Sequence, residues 1–162
     1  MKVFILLFVV AILISVASCS QDNEEIYMTQ IIDHKNTYSS MELEILNLVN
    51  NYRDSLGINR LSKLDIVSTV AFSHTTYMAE VGKVSHDNFY DRHQELVNLA
   101  NAKTVGENVG YGYNSANGVF NAWILSDSHK QLIENSKFTH FGISTEKNSK
   151  GRNYFTQIFI TK

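Results

Sequence analysis

The chain carries one cysteine, Cys19, directly behind an apolar leader, and this fixes what kind of fold the remainder can build. The opening residues, MKVFILLFVVAILISVASCS, place a cation at Lys2, an apolar run from Val3 to Val16 and small residues ahead of Cys19. That is the layout of a secretory signal. An exported domain with no second cysteine cannot brace itself with an intramolecular disulfide. It must stand on a hydrophobic core.

The apolar run is too short for a comfortable spanning helix, which needs roughly 20 residues. The sequence VASC matches the pattern after which bacterial lipoprotein signals are cut. Residues 1–18 are therefore expected to be removed, with lipid on Cys19 as the link to the membrane; an uncleaved anchor or an ordinary secretory signal is the alternative. Residues 19–40 continue as a polar stretch with acids at Asp22, Glu24 and Glu25, read as a tether. An acidic stretch after the lipidated cysteine resembles a lipoprotein surface-export signal. The expected location is the cell envelope, lipid-anchored, with exposure at the outer-membrane surface as the further implication.

Residues 41–162 are the size of one domain. The formal charge is −2, with 14 Lys and Arg against 16 Asp and Glu and no basic run. Nucleic-acid binding through phosphate neutralisation is not expected. Neither is an oligomer, and the chain reads as a monomer.

Ser39 with Glu42 three residues on forms a capping signal, followed by Ile45, Leu48, Val49, Tyr52 and Leu56 at helical spacing and a stop at Gly57. Ser62 and Asp65 have the same spacing ahead of Val67, Ala71, His74, Met78 and Val81, with a stop at Gly82. His74 lies on that apolar stripe, where a histidine is read as a hydrogen-bonded core residue. Further helices are expected over Asp91–Ala102 and over Ala116–Leu125, the latter capped by Ser115. Residues 140–147 and 152–161 read as strands joined by the turn KNSKG. Val109, Tyr111 and Tyr113 alternate with Gly110 and Gly112, as in a strand whose glycine face admits another backbone or a ligand. The fold class is α+β, with helices around a small antiparallel sheet.

The stretch TVGENVGYG, residues 104–112, sets Glu107 among glycines and apolar side chains. A lone Glu is ordinarily a solvated surface residue, because a buried one requires a partner. The series VSH at 84–86, GEN at 106–108, AWILSDSH at 122–129, FGIS at 141–144 and YFTQIF at 154–159 resembles the CAP superfamily, also called SCP/TAPS, in its small bacterial branch. The resemblance covers about Met41 to Thr161. It implies a three-layer α-β-α sandwich with a cleft lined by histidines and acids.

Carried over by position, His86, Glu107 and His129 are the cleft residues, with Asn108 beside Glu107 in the GEN motif. Glu107 would then be a cleft carboxylate paired with two imidazoles. Many animal and plant relatives carry a further glutamate three residues beyond the tryptophan; here that position is Ser126, with Asp127 next to it. Those relatives also hold disulfides, which this chain cannot.

Two imidazoles and a carboxylate have the ligand chemistry for zinc or another divalent ion, with His86 and His129 as the metal ligands. Their spacing matches no local zinc signature, and a hydrogen-bonded network holding the cleft loops is the alternative. Ser126, Asp127, Ser128 and His129 include the residue types of a catalytic triad, but without a GxSxG elbow they read as caps and turns. Trp123 reads as core. Tyr111 and Tyr113 could line a groove. Two functions remain open: a binding module for a lipid, protein or envelope polymer, and a metal-dependent extracytoplasmic hydrolase with Glu107 as its base.

Overall fold

The computed structural model describes residues 37–162. The expected signal segment, Cys19 and residues 20–36 of the tether lie outside the described residues.

Helix α1 (Ser40–Ser55) starts where its capping signal falls. Ser39 Oγ accepts the Glu42 N–H at 3.2 Å, and Glu42 Oε2 accepts the Ser39 N–H at 2.8 Å. The second expected box does not form. Ser62 and Lys63 instead make a short strand, β1 (Ser62–Lys63), and helix α2 (Asp65–Val81) begins behind Leu64 with no side-chain cap. The physical reason is competition: the Ser62 N–H bonds the Thr139 carbonyl, so the segment is held extended against the sheet. Gly82 ends α2 as expected, at φ 75.

Helix α3 (Phe89–Ala100) lies two residues upstream of its expected range, bounded by Asn88 and Asn101 at φ 58 and 55. Asparagine tolerates that left-handed backbone better than most residues. Strand β2 (Thr104–Tyr111) is followed by α4 (Ala116–Leu125), α5 (Asp127–Glu134), β3 (His140–Lys147) and β4 (Asn153–Thr161). Alternation suggested a strand reaching Tyr113, but β2 ends at Tyr111 because Gly112 turns the chain at φ 83. Helix α5 is short and polar, where the sequence suggests only caps and turns.

The four strands lie in the order β1-β3-β4-β2. Strand β1 runs parallel to β3, while β3–β4 and β4–β2 are antiparallel. Both faces are covered. Ile45 and Val49 of α1, Phe120 and Trp123 of α4 and Ile133 of α5 pack with Phe141, Ile143, Phe155 and Phe159 on one side. Val67, Val70 and Ala71 of α2 and Leu96 and Ala100 of α3 pack with Ile158 and Ile160 on the other. This is the α-β-α sandwich, and double coverage explains why β4 is buried from Asn153 to Ile160 and shows no polar face.

Gly142 sets the spacing of one interface. A Cβ there would sit 2.6 Å from the Val67 carbonyl carbon, so only glycine lets α2 lie this close to β3. Among the described residues no helix is long and apolar enough to cross a membrane.

Candidate functional site

Strand periodicity divides the GEN motif between the two sides of the sheet. Glu107 pairs with Ile158 and Asn108 with Gln157, and successive side chains leave a strand on opposite faces. Glu107 therefore points toward α2 and α3. Asn108 points toward α4 and α5.

The answer to the charge of Glu107 is Arg92, a residue that sequence reasoning missed. Arg92 Nε donates to Glu107 Oε2 and Arg92 Nη2 to Oε1, both at 2.8 Å. This two-pronged pair is buried, with side-chain exposures of 7 % and 1 %, and its geometry is the strong form of a charge-assisted bond. His86 Nδ1 donates to Glu107 Oε1 at 2.8 Å. Burial acts to raise the Glu107 pKa, but the hydrogen bonds from His86 and Arg92 and the Arg92 charge outweigh it and hold the carboxyl below its ordinary range. Glu107 is thus ionised, with both oxygens engaged.

The second imidazole beside Glu107 is His74, not His129. His74 Nε2 lies 3.8 Å from Glu107 Oε1 and donates to the Ser85 carbonyl at 2.8 Å. Its ring stacks on Tyr77 with centroids 5.9 Å apart. Burial lowers its pKa, against the pull of Glu107, and keeps it neutral. It is the hydrogen-bonded core histidine expected from the stripe, and it also fastens the loop that presents His86.

On the other side of the sheet, Asn108 is fully buried and donates through Nδ2 to the His129 carbonyl at 3.2 Å. His129 lies in the first turn of α5, and its Nδ1 pairs with Ser126 Oγ at 2.7 Å. Burial and then the nearby His86 charge lower its pKa, so the ring is neutral near pH 7. Asp127 is exposed.

His86 and His129 come together across an open cleft of about 500 Å³. Val109, Gly110 and Tyr111 of β2 form one part of its lining, Ala122, Trp123 and Ser126 another. Tyr111 and Tyr113 stand at its side, while Trp123 is 98 % covered core and gives its indole N–H to the Val109 carbonyl at 2.9 Å. The structure thus brings His86, His129, Ser126 and Tyr111 to one cleft. Glu107 lies beneath His86 and does not line it, Asn108 sits behind His129, and Asp127 is outside.

One signal could have found Arg92. A carboxylate on a buried strand demands a cation, and between His74 and Glu107 the candidates are Lys83, Arg92 and Lys103. Only the packing of α3 on α2, which carries Arg92 to Glu107, selects among them.

With both Glu107 oxygens taken, the residues facing the cleft supply two imidazoles toward a metal. Among the described residues no group of three or more His, Cys, Asp or Glu is placed to hold an ion. Catalytic zinc sites ordinarily use three protein ligands, so this donor set falls one short.

Two curated proteins of Bacillus subtilis (strain 168) are similar to the chain. The uncharacterized membrane protein YlbC is 29% identical over 133 residues, covering 79% of this chain and 36% of YlbC. YkwD is 27% identical over 127 residues, covering 76% of this chain and 48% of YkwD. The chain thus spans between about a third and a half of these relatives' length. Among solved structures, an outer surface protein of Borrelia burgdorferi superposes with a TM-score of 0.63 at 20% identity, over 89% of this chain and 96% of that one. The order of elements, the sandwich and the match of residues 46–159 to the cysteine-rich secretory protein profile together place the chain in the CAP family.

Proposed function

We propose that the protein is an envelope-anchored binding module that holds an extracytoplasmic ligand in the His86–His129 cleft. The observation that carries this reading is the state of Glu107. Its oxygens are spent on Arg92 and His86, its pKa is lowered, and it sits under the cleft. A general base must reach the proton it takes and titrate near the working pH. Glu107 does neither, so its role here is to neutralise Arg92 and to orient His86. Ser126 does the corresponding work for His129. Each imidazole has its Nδ1 fixed and presents Nε2 as the free nitrogen.

The hydrolase reading keeps one supporting observation. Fixing one ring nitrogen by a carboxylate or hydroxyl is the arrangement that orients histidine metal ligands. A divalent ion on His86 and His129 would take its remaining positions from water, and would supply a polarised water in the cleft. Lipid on Cys19, a monomeric state and exposure at the outer surface complete the proposal, the last supported by the description of the Borrelia burgdorferi relative as an outer surface protein.

Two measurements test it. Sedimentation of the purified protein with isolated envelope material should be lost in His86→Ala/His129→Ala, while its circular dichroism and melting temperature stay near those of the parent. Release of soluble fragments from that material, dependent on added Zn²⁺, would replace the binder by the hydrolase. For the anchor, Cys19→Ala should move the protein from the membrane fraction to the soluble one, because acyl chains contribute about 0.8 kcal/mol per buried CH₂. Unchanged membrane association would overturn the lipid assignment.

A further inference from the structure

Among the described residues no Asp, Glu, Lys or Arg lines the cleft, although these residues make up 19% of the chain. The nearest carboxylate, Glu107, is matched by Arg92 and covered. The polar side chains that do face the cleft carry hydroxyls and imidazoles: Ser85, His86, Tyr111, Tyr113, Ser126 and His129. The hydroxyls can both donate and accept a hydrogen bond, while each imidazole, with its Nδ1 engaged, offers the cleft its Nε2. Aromatic surface adjoins them, with Tyr111 45% exposed and its ring held against Tyr154 at a centroid distance of 4.7 Å.

We infer that the ligand of this cleft is an uncharged glycan, its sugar hydroxyls meeting the imidazoles and Ser126 and its C–H faces resting on Tyr111 and Tyr113. The inference deepens the envelope-binder reading and rests on it. Hydroxyls are the ligand groups whose mixed donor and acceptor character matches this lining without a formal charge. An anionic polymer would find no lysine or arginine among the described lining residues to pair with. An acyl chain would cover the outward imidazole nitrogens of His86 and His129 and return no hydrogen bond, at a cost for each. An extended peptide added as a strand would need the free edge of β2, but the Val109 carbonyl on that edge is already bonded by Trp123. A volume of about 500 Å³ lies within the ordinary range of small-ligand sites.

The test is calorimetric titration of the full-length chain in mild detergent with chitotetraose, maltotetraose, a heparin tetrasaccharide and an uncharged tetrapeptide. At least one neutral oligosaccharide should bind, with its Kd changing less than twofold between 50 and 500 mM NaCl. Tyr111→Ala should weaken it tenfold or more, and Tyr111→Phe should retain most of the affinity. Because Tyr111→Ala also removes a contact with Tyr154, Val84→Asp at the cleft lining serves as a second probe. A neutral ligand should tolerate that charge within threefold. Binding of the heparin fragment or the peptide alone, or a loss of more than threefold on raising salt, overturns the inference. Failure of both neutral oligosaccharides to bind, while envelope sedimentation still depends on His86 and His129, overturns the glycan but leaves the binder standing. Loss of that dependence removes both.

Discussion

At the scale of residues, the centre of the molecule is the ion pair of Arg92 and Glu107, and its energetics are asymmetric. Two desolvated charges in good geometry roughly offset their own desolvation, whereas removing one leaves the other stranded. Glu107→Gln should therefore destabilise the fold by about 3 to 5 kcal/mol, and Arg92→Met by a similar amount. The double variant Arg92→Met/Glu107→Gln should lose much less than the sum, since no unpaired charge remains. Urea unfolding of the four proteins measures this directly. Additive losses would show that the two side chains are not coupled as the 2.8 Å contacts require. The same cycle separates stability from binding, because in either variant that lacks Glu107 the His86 Nδ1 has a neutral amide oxygen in place of a carboxylate as its acceptor.

Elements meet their neighbours through a few side chains that do two jobs. Strand β1 pairs with β3 only at His140 and Phe141, so the outer edge of β3 beyond it needs other partners. Ser68 Oγ accepts the Ile143 N–H at 3.1 Å, and Glu42 Oε1 accepts the Thr145 N–H at 2.8 Å. Glu42 thus closes the cap of α1 with one oxygen and seals a strand edge with the other. Tyr38, which the sequence assigns to the tether, bonds Ser68 at 2.6 Å and packs against the α1 side of the core. The folded body therefore includes residues just ahead of α1. Glu42→Ala should cost about 2 to 4 kcal/mol, combining a lost cap with an orphaned, half-buried N–H. Glu42→Gln keeps an acceptor for Thr145 and should lose less than half of that. Thermal melts decide, and equal losses would mean that the edge bond contributes nothing.

Across the whole molecule, acid acts on the sandwich from one direction. The His74 pKa is lowered by burial, against the attraction of Glu107, so protonation favours the unfolded chain. The stability tied to its neutral form is complete above the unfolded value, about 6.5, and is lost as pH falls below it. His129 is shifted the same way by burial and by His86. The Glu107 carboxyl is lowered by its hydrogen bonds despite burial; its contribution is present above about 4.3 and is lost as pH falls through the folded value. The melting temperature should fall in two stages, one between about pH 7 and 5 and a second below about 4.5. His74→Gln should flatten the first stage and leave the second. Calorimetry across that range checks it, and a first stage unchanged in the variant would assign the effect elsewhere.

Much of this architecture is legible in the sequence. The α1 cap, the stops at Gly57 and Gly82, the α4 helix and the two C-terminal strands follow from local chemistry: capping oxygens, left-handed glycines and β-branched runs act within a few residues of themselves. The motif series implied the sandwich and the two cleft histidines, and the core reading of His74 and Trp123 follows from their apolar neighbours. Tertiary structure decided what local chemistry could not. Ser62 is in a strand and not a cap because a parallel partner distant in the chain, β3, takes its backbone. Asp127 faces solvent and Ser126 faces His129 because α5 is a helix, which a short polar segment does not announce by itself. Glu107 is bound to Arg92 because α3, packed on α2, brings that side chain to it, and its pairing with one cleft imidazole instead of two follows from strand alternation, which sends Glu107 and Asn108 to opposite faces. Sequence determines the segments and their preferences; only packing selects which distant groups must share a buried charge.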